Sequence, residues 1–339
     1  MKVLITGATG FIGKALVEKL ISTGNEIFVL TRQREKAEEL FKDKVIIVES
    51  DISHKKFLKY LELREVDSVI HLASNLDYFG TAYKLFKINV RGTVNLLNWT
   101  KIHRIKKFIY ISSIEAVGPV REEDIPARMD YSACPVSPYG VSKLKAEKEV
   151  IRFSKINNLR SIILRLGNVY GPGKQNFVIS LAKALISKDK SLRFLFFCKN
   201  RIIHPIYIDD AIEGIIASLN KENIQPEVYI IAGNQIVTME RLFIMIGDYL
   251  GLKIKFSEQQ DRLLAIYLKG RQYLHRFLHR ADFLDYLMSG RGRRVHRGYS
   301  IEETRKALNF YPKVDLKEGI KLTLDWAKKE GFLYSGKEF

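Results

Sequence analysis

Lys2-Val3-Leu4-Ile5-Thr6-Gly7-Ala8-Thr9-Gly10-Phe11-Ile12-Gly13 is the stretch whose reading decides the fold. Lys2 to Thr6 is a short apolar run with β-branched residues, the composition of a buried strand. Ile12, Ala15, Leu16 and Leu20 then recur at helical spacing. A strand therefore runs into a tight glycine turn that opens a helix. Gly7 allows the turn, Gly10 lets the backbone approach a pyrophosphate, and Gly13 lets the helix pack on the strand. Thr9, Phe11 and Ile12 complete the candidate cradle, where the N–H groups and dipole of the helix start hold the anion. The spacing is G-x-x-G-x-x-G, not G-x-G-x-x-G, so the assignment leans on the strand–turn–helix context. The competing reading is a tight turn with no ligand.

Outward from this turn the alternation continues. Gly24 ends the first helix and Glu26 to Thr31 is the second strand. An acidic residue at the end of such a strand holds the ribose hydroxyls of NAD. Here the run is Thr31-Arg32-Gln33-Arg34, and an arginine suits a 2′-phosphate, so the expected cofactor is NADP, with NAD as the alternative. Arg32 and Arg34 could instead only start a solvated helix over Arg34 to Phe41. Lys44 to Val48 reads as the third strand, followed by Asp51-Ile52. Asp51 can accept from an adenine amino group or cap the next helix. Ser68 to Leu72 is the fourth strand, and small residues at Ala73-Ser74 leave room for a dinucleotide across the strand ends. A helix around Asn89 to Leu97 and a fifth strand over Lys107 to Ser112 come next. Strands alternating with helices at this spacing imply a parallel, doubly wound sheet.

The candidate chemistry lies on either side of residue 126. The fifth strand ends in Ser112-Ser113-Ile114-Glu115. Further on, Ser137-Pro138-Tyr139-Gly140-Val141-Ser142-Lys143 opens a helix, with Ser137 as N-cap and Pro138 at its first position. The spacing of four puts Tyr139 and Lys143 on one helical face. An unaided tyrosine titrates near pH 10, and a nearby ammonium favours its phenolate. Such a tyrosine can pass a proton to or from a substrate oxygen while hydride moves to or from a nicotinamide. Ser113 would hydrogen-bond the same oxygen.

Composition sets the outer limits. The 339 residues suffice for one large α/β domain or a domain with a smaller lobe. The chain contains no apolar run of about eighteen residues, so no membrane-spanning helix is expected. The fingerprint strand begins at Lys2, so no secretory leader is expected, and Cys134 and Cys198 fit a reducing cytoplasm. The net charge of +18 attracts polyanions, but no nucleic-acid-binding motif accompanies it. Arg262 to Met288 carries apolar residues on one face and basic residues on another. It reads as helices over the substrate pocket or as an amphipathic contact with anionic membrane. His275 and His279 have metal-capable spacing without a third ligand nearby, so no metal is expected.

In these motifs the chain resembles the extended short-chain dehydrogenase/reductases, the NAD-dependent epimerase/dehydratase family. The matching motifs are Thr6 to Gly13, Asp51-Ile52, Val69-Ile70-His71-Leu72-Ala73-Ser74, Asn89-Val90-Arg91-Gly92-Thr93, Ser112-Ser113, Tyr139 to Lys143, and Leu164 to Gly173. Ile206 to Ala211 and the closing Gly319 to Trp326 also fit. The resemblance implies that Ser113, Tyr139 and Lys143 are the catalytic residues. It implies that Asn89 holds the cofactor or the catalytic helix, and that two helices of the sheet form a homodimer. The family's sugar dehydratases carry Thr-Asp-Glu where this chain has Ser113-Ile114-Glu115, so dehydration is not expected unless Glu115 acts alone. Many sugar epimerases continue with Val-Tyr-Gly. Here Ala116-Val117-Gly118-Pro119 follows, and the run Ser112 to Pro119 more closely resembles 3β-hydroxysteroid dehydrogenases and similar reductases.

The expected fold is an α/β doubly wound parallel Rossmann-type sheet with a smaller C-terminal α/β substrate lobe. Residues 1–171 would form the NAD(P)-binding domain, with 203–234 returning to it, and 172–202 with 235–339 the substrate lobe. The expected function is an NAD(P)-dependent oxidoreductase that interconverts a secondary alcohol and a ketone. A nucleotide-sugar epimerase with retained NAD is the alternative. A non-catalytic NADP-sensing or membrane-associated binding protein is a third reading, which the intact Ser113, Tyr139 and Lys143 oppose. The substrate is expected to be a nucleotide sugar or a hydrophobic alcohol or ketone.

Overall fold

Strand β1 (Lys2–Thr6) lies at the centre of the sheet and is buried along four of its five residues. The computed structural model describes residues 1–54, 66–77, 81–186, 199–222, 227–254 and 295–333. Around β1 stand β2 (Glu26–Thr31), β3 (Ile46–Glu49), β4 (Ser68–His71), β5 (Lys107–Ser113), β6 (Arg160–Leu166) and β10 (Glu227–Ile231). Their order is β10-β6-β5-β4-β1-β2-β3, and each pairing is parallel. Two-residue periodicity divides their side chains between two cores. Val3 and Ile5 face one, with Ile70, Ile109 and Leu164, whereas Leu4 faces the other, with Val69, Phe108 and Ile163. Strands buried on both faces read as continuous apolar runs, which is why the strands carry so little polarity.

The first core is covered by α1 (Phe11–Ser22), α6 (Phe177–Ile186), α7 (Ile208–Asn220), α8 (Met239–Tyr249) and α10 (Leu316–Lys329). The second is covered by α4 (Thr93–Ile102) and α5 (Pro138–Asn157), through Leu96, Leu97 and Trp99 from one and Ala146 and Val150 from the other. The short helices α2 (Arg34–Phe41), α3 (Ala82–Leu85) and α9 (Glu302–Leu308) lie at the periphery. Between α3 and α4 the chain forms a π-helical segment, Phe86–Gly92. Beside the sheet, β7 (Asn168–Tyr170) pairs with β9 (Pro205–Tyr207), and β8 (Ile202–Ile203) pairs with β11 (Val237–Thr238).

Most element positions follow the sequence pattern, and the departures have local causes. The third strand begins at Ile46 and not at Lys44, because Lys42–Lys44 is a turn of 3-10 helix. Asp209 and Asp210 lie in the first turn of α7, but neither side chain caps it. The buried Asp210 carboxylate instead accepts from the backbone N–H groups of Lys313 and Val314, at 2.9 and 3.0 Å, tying the α9–α10 connection to the start of α7. His275, His279 and the basic Arg262 to Met288 stretch lie outside the described residues. Among the described residues no helix is long and apolar enough to cross a membrane, and no cluster of metal-ligating side chains occurs.

Candidate active site

A cleft of about 870 Å³ runs over the carboxyl ends of β1, β4 and β5. The chain leaves β1 towards β2 on one side and β4 on the other, so the cleft sits at the point where strand order reverses, the usual ligand position in such sheets. Its floor at one end is the glycine turn. Gly7 has φ of +75°, and a Cβ there would stand 2.6 Å from the Ala73 nitrogen. A Cβ on Gly13 would meet the Gly7 carbonyl oxygen at 2.2 Å. The third glycine therefore lets the helix press onto the turn. Near Gly10 the only close atom is the Gly7 oxygen, at 3.2 Å, so the space above it opens into the cleft. The start of α1 has neither a side-chain cap nor an acidic residue in its first turn. Its N–H groups and positive dipole end are available to an anion. These features fit the pyrophosphate of a dinucleotide.

Thr9, Phe11 and Ile12 line this end, and Arg32, Asp51 and Ile52 line the next. Arg32 lies 3.8 Å from the Asp51 carboxylate. Burial pushes the Asp51 carboxyl up. The backbone N–H and hydroxyl of Ser53, with the charges of Arg32 and His54, outweigh it and hold the group below its ordinary value. Arg34 is turned away, bonded to Glu38, Glu49 and the Ile47 carbonyl, so it belongs to the solvated face of α2. Leu72, Ala73 and Ser74 continue the cleft beyond the end of β4.

At the far end the cleft is lined by Ser113, Tyr139 and Lys143, which β5 and α5 bring together from 26 to 30 residues apart in sequence. Ser137 caps α5 by accepting from the Gly140 N–H at 3.0 Å, and Pro138 begins the helix, as the sequence predicts. The Tyr139 hydroxyl hydrogen-bonds the side chains of Ser74 and Ser113. The expectation that Lys143 lowers the Tyr139 pKa is not met. Burial, and next the Glu115 carboxylate, push the phenol well above its ordinary value, and the two serine hydroxyls offset only part of this. Lys143 donates to the Ile111 carbonyl at 2.6 Å and sits 4.2 Å above the Tyr110 ring. Burial lowers its pKa to about 7, against the opposing pull of Glu147. The Glu147 carboxylate is itself held by Arg165, at 2.8 Å, and by the Ser112 hydroxyl.

Asn89 does not line the cleft. The π-helical segment turns it inward, where its side chain makes four hydrogen bonds. It accepts from the Ser74 hydroxyl at 3.1 Å and the Asn75 N–H at 2.7 Å, and donates to the Asn75 carbonyl at 3.0 Å and Ser142 Oγ at 2.9 Å. It thus joins the Ser74 loop to α5, and π-helical turns of this kind recur at functional sites. His71 performs a similar service between β1 and α4. The Thr93 hydroxyl donates to the Asn89 carbonyl, so His71 Nε2 must carry the proton given to Thr93, and Nδ1 accepts from Thr6 at 2.6 Å. Burial drops the His71 pKa to about 3, so the ring is neutral.

Two features of this end are not legible in the motifs that contain Asn168 and Glu115. Asn168 lines the cleft with its side-chain oxygen buried and without a partner among the described residues. Glu115, also lining it, is paired at 3.0 Å with Arg297, 182 residues away in sequence. Only the fold brings that arginine to the site.

A sheet of this topology, with its anion cradle and a half-buried serine beside a buried tyrosine and lysine over one cleft, defines an enzyme of nicotinamide-dinucleotide chemistry. The chain belongs to the NAD dependent epimerase/dehydratase family, whose model matches residues 3–232. A protein of Methanocaldococcus jannaschii provisionally named a UDP-glucose 4-epimerase is 27% identical over 333 residues, covering 96% of this chain and 98% of that protein. The 2-alkyl-3-oxoalkanoate reductase of Stenotrophomonas maltophilia is 26% identical, covering 95% of this chain and 98% of its own. Among solved structures, the UDP-glucuronic acid 4-epimerase of Bacillus cereus, in complex with UDP-glucuronic acid and NAD, superposes with a TM-score of 0.76. It is 23% identical and covers 97% of this chain and 100% of its own.

Proposed function

We propose that the protein is a nucleotide-sugar epimerase that works with a retained NAD, and that Ser113, Tyr139 and Lys143 carry the chemistry. The observation that carries this reading is the enclosure of the Tyr139 hydroxyl between Ser74 and Ser113. The Ser74 hydroxyl leads on to the Asn89 side-chain oxygen. An amide oxygen cannot take up a proton at neutral pH, so the Ser74–Asn89 branch does not carry the proton further. A proton taken from a substrate hydroxyl is not drained along that branch and can be given back by Tyr139. That suits a reaction which removes and returns the same proton and hydride, more than a reduction that draws a proton from water at each turnover. The end-to-end likeness to sugar-nucleotide 4-epimerases supports the same reading.

When bound, NAD would accept a hydride from the substrate carbinol, return it to the opposite face, and bring positive charge to the tyrosine. The chain's own contribution is to hold and aim. The glycine turn and the start of α1 would hold the pyrophosphate, and Leu72, Ala73 and Ser74 would flank the dinucleotide. Tyr139, kept protonated by burial, needs that added positive charge to act as base and afterwards serves as the acid. Ser113 would orient the substrate oxygen. Lys143, titrating near neutrality, would supply charge or a hydrogen bond to the ribose. Asn168 offers a buried polar atom to the substrate, which would lie between residues 1–171 with 203–234 and a lobe of the remainder.

The preference for NAD over NADP rests on Asp51. Arg32 alone would welcome a 2′-phosphate, but it stands beside a carboxylate that would repel one. Two measurements test these readings. Nucleotide released by denaturing the purified protein is expected to be NAD by mass. UDP-glucose is expected to equilibrate with its 4-epimer without added cofactor. An empty site with a clear preference for NADPH, and ketone reduction in place of epimerisation, would sink the proposal in favour of an exchanging reductase.

A further inference from the structure

Residues 295–301 form a strap packed along the segment that follows β5. His296 pairs with Val120 and Tyr299 with Ala127, and the Arg297 N–H donates to the Ile202 carbonyl at 2.8 Å. The Tyr299 hydroxyl donates to the Gly118 carbonyl at 2.9 Å. This strap delivers Arg297 to Glu115. Both side chains are buried, at 1% and 4% exposure, and Nη2 stands 3.0 Å from Oε2. The Ser137 hydroxyl reaches the same oxygen at 3.4 Å. Glu115 is the second residue after Ser113, and its N–H donates to Ser113 Oγ at 3.2 Å. The carboxylate is near enough to raise the Tyr139 pKa by its charge. A carboxylate is thus built into the wall where a substrate carbon would be oxidised.

Such a base is a hazard. Oxidation of a carbinol to a ketone acidifies the C–H bonds on the neighbouring carbons. A carboxylate in reach would take that proton, the C–H pair would become the enolate, and a hydroxyl one carbon further on could leave as water. A guanidinium pairing weakens a carboxylate as a base, and a buried carboxylate deprived of its partner becomes a stronger one. We propose that Arg297 decides the outcome of the reaction. By pairing with Glu115 it stops the carboxylate from deprotonating the carbon beside the ketone, so the ketone is returned to an alcohol unchanged. Arg297 is on this account a specificity-determining residue that acts through Glu115. The proposal rests on the reading of the cleft as one that oxidises a carbinol.

The test is turnover of UDP-glucose in heavy water, with product returned to ordinary water before mass analysis so that hydroxyl deuterium washes out. Wild-type product should carry no deuterium. Arg297→Met product should be largely one mass unit heavier, or should lose water, and Glu115→Gln added to Arg297→Met should remove the label. Arg297→Lys, which keeps a cation, should label only weakly, and it serves if Arg297→Met does not fold. Unlabelled product from a folded Arg297→Met, or label that persists in the double variant, overturns the proposal. Wild-type protein that leaves UDP-glucose untouched instead overturns the carbinol-oxidation reading and takes this one with it. Thermal unfolding gives a readout without substrate. If the pair holds, the double variant is more stable than Arg297→Met alone, whereas additive losses would show that the two side chains do not pair in solution.

Discussion

At the Gly7–Gly13 end of the cleft the chain offers backbone, and at the Tyr139 end it offers side chains. The first end is made by one continuous stretch of sequence whose constraints are steric, with glycine where a Cβ would strike backbone at 2.2 to 2.6 Å. The second is assembled from β4, β5, the π-helical segment, α5 and the 295–301 strap, and its properties are electrostatic. Its two central groups are both pushed towards neutrality by burial. The difference implies that damage to the first end is felt as lost stability and lost affinity together. Damage to the second is felt as lost rate with the fold intact.

Tyr139→Phe is the strongest attempt to break that division. Removing the acid/base should slow turnover by about 10²–10⁴-fold, while NAD fluorescence titration shows unchanged affinity and thermal unfolding is little altered. Unimpaired turnover would remove Tyr139 from the chemistry. A large loss of NAD affinity would show that the two ends are not separable.

Gly13→Ala tests the other end. The new Cβ would lie 2.2 Å from a backbone oxygen that has no room to retreat. The cost should be about 3 kcal/mol, the upper part of the range for overpacking, with weakened dinucleotide binding. Gly24→Ala is the control, because its Cβ meets nothing within 4 Å and only its φ of +76° is strained. It should cost about 1 kcal/mol and leave binding unchanged. Denaturant unfolding and NAD titration of the two variants check this.

The same contrast explains what was legible in the sequence. Glycine constraints and strand and helix periods are local, so β1, β2, β10 and the start of α5 are readable from residues a few positions apart. So is the set Ser113, Tyr139 and Lys143, because a helical repeat and the register of β5 on its neighbours bring them to one edge. The direction of the Lys143 ammonium is not readable. It is decided by the Ile111 carbonyl and the Tyr110 ring, which the fold puts there. The inward turn of Asn89 depends on a π-helical register that no apolar period announces. The pairing of Glu115 with Arg297 spans 182 residues, and no motif marks the arginine.

Two buried histidines outside the cleft lining make the acid limb of stability a test of their packing. His71 is held neutral with a pKa of about 3, and His204, donating to the Gly233 carbonyl at 2.8 Å, with a pKa of about 4; burial is the main cause in each. Both folded values lie below the value of about 6.5 in an unfolded chain. The unfolded state therefore binds more protons in that window. The stabilisation is complete above pH 6.5 and is lost as pH falls towards 3 to 4. Each histidine should contribute a slope of up to about 1.4 kcal/mol per pH unit between pH 6 and 4. His71→Gln should flatten the pH dependence of denaturant unfolding by about that amount. An unchanged slope would mean that the ring is protonated or solvated in the folded protein.

The smallest effect is expected where a side chain stands at the backbone end. Arg32 is 64% exposed and 3.8 Å from Asp51, and an exposed pair of this kind contributes at most about 1 kcal/mol. If the cofactor is NAD, Arg32→Ser should change its affinity by less than roughly fivefold, because the backbone cradle does the holding. If the arginine instead receives a 2′-phosphate, the variant loses a charged hydrogen bond of about 1.5–3 kcal/mol, and NADPH affinity should fall roughly 10- to 100-fold. Asp51→Asn sharpens the choice, since removing a carboxylate that repels phosphate should improve NADPH binding while NAD affinity holds or falls. A rise in NADPH affinity in Asp51→Asn, lost again on adding Arg32→Ser, would show that the two side chains oppose each other over one phosphate. No response in either variant would mean that this end of the cleft reads the cofactor through its backbone alone.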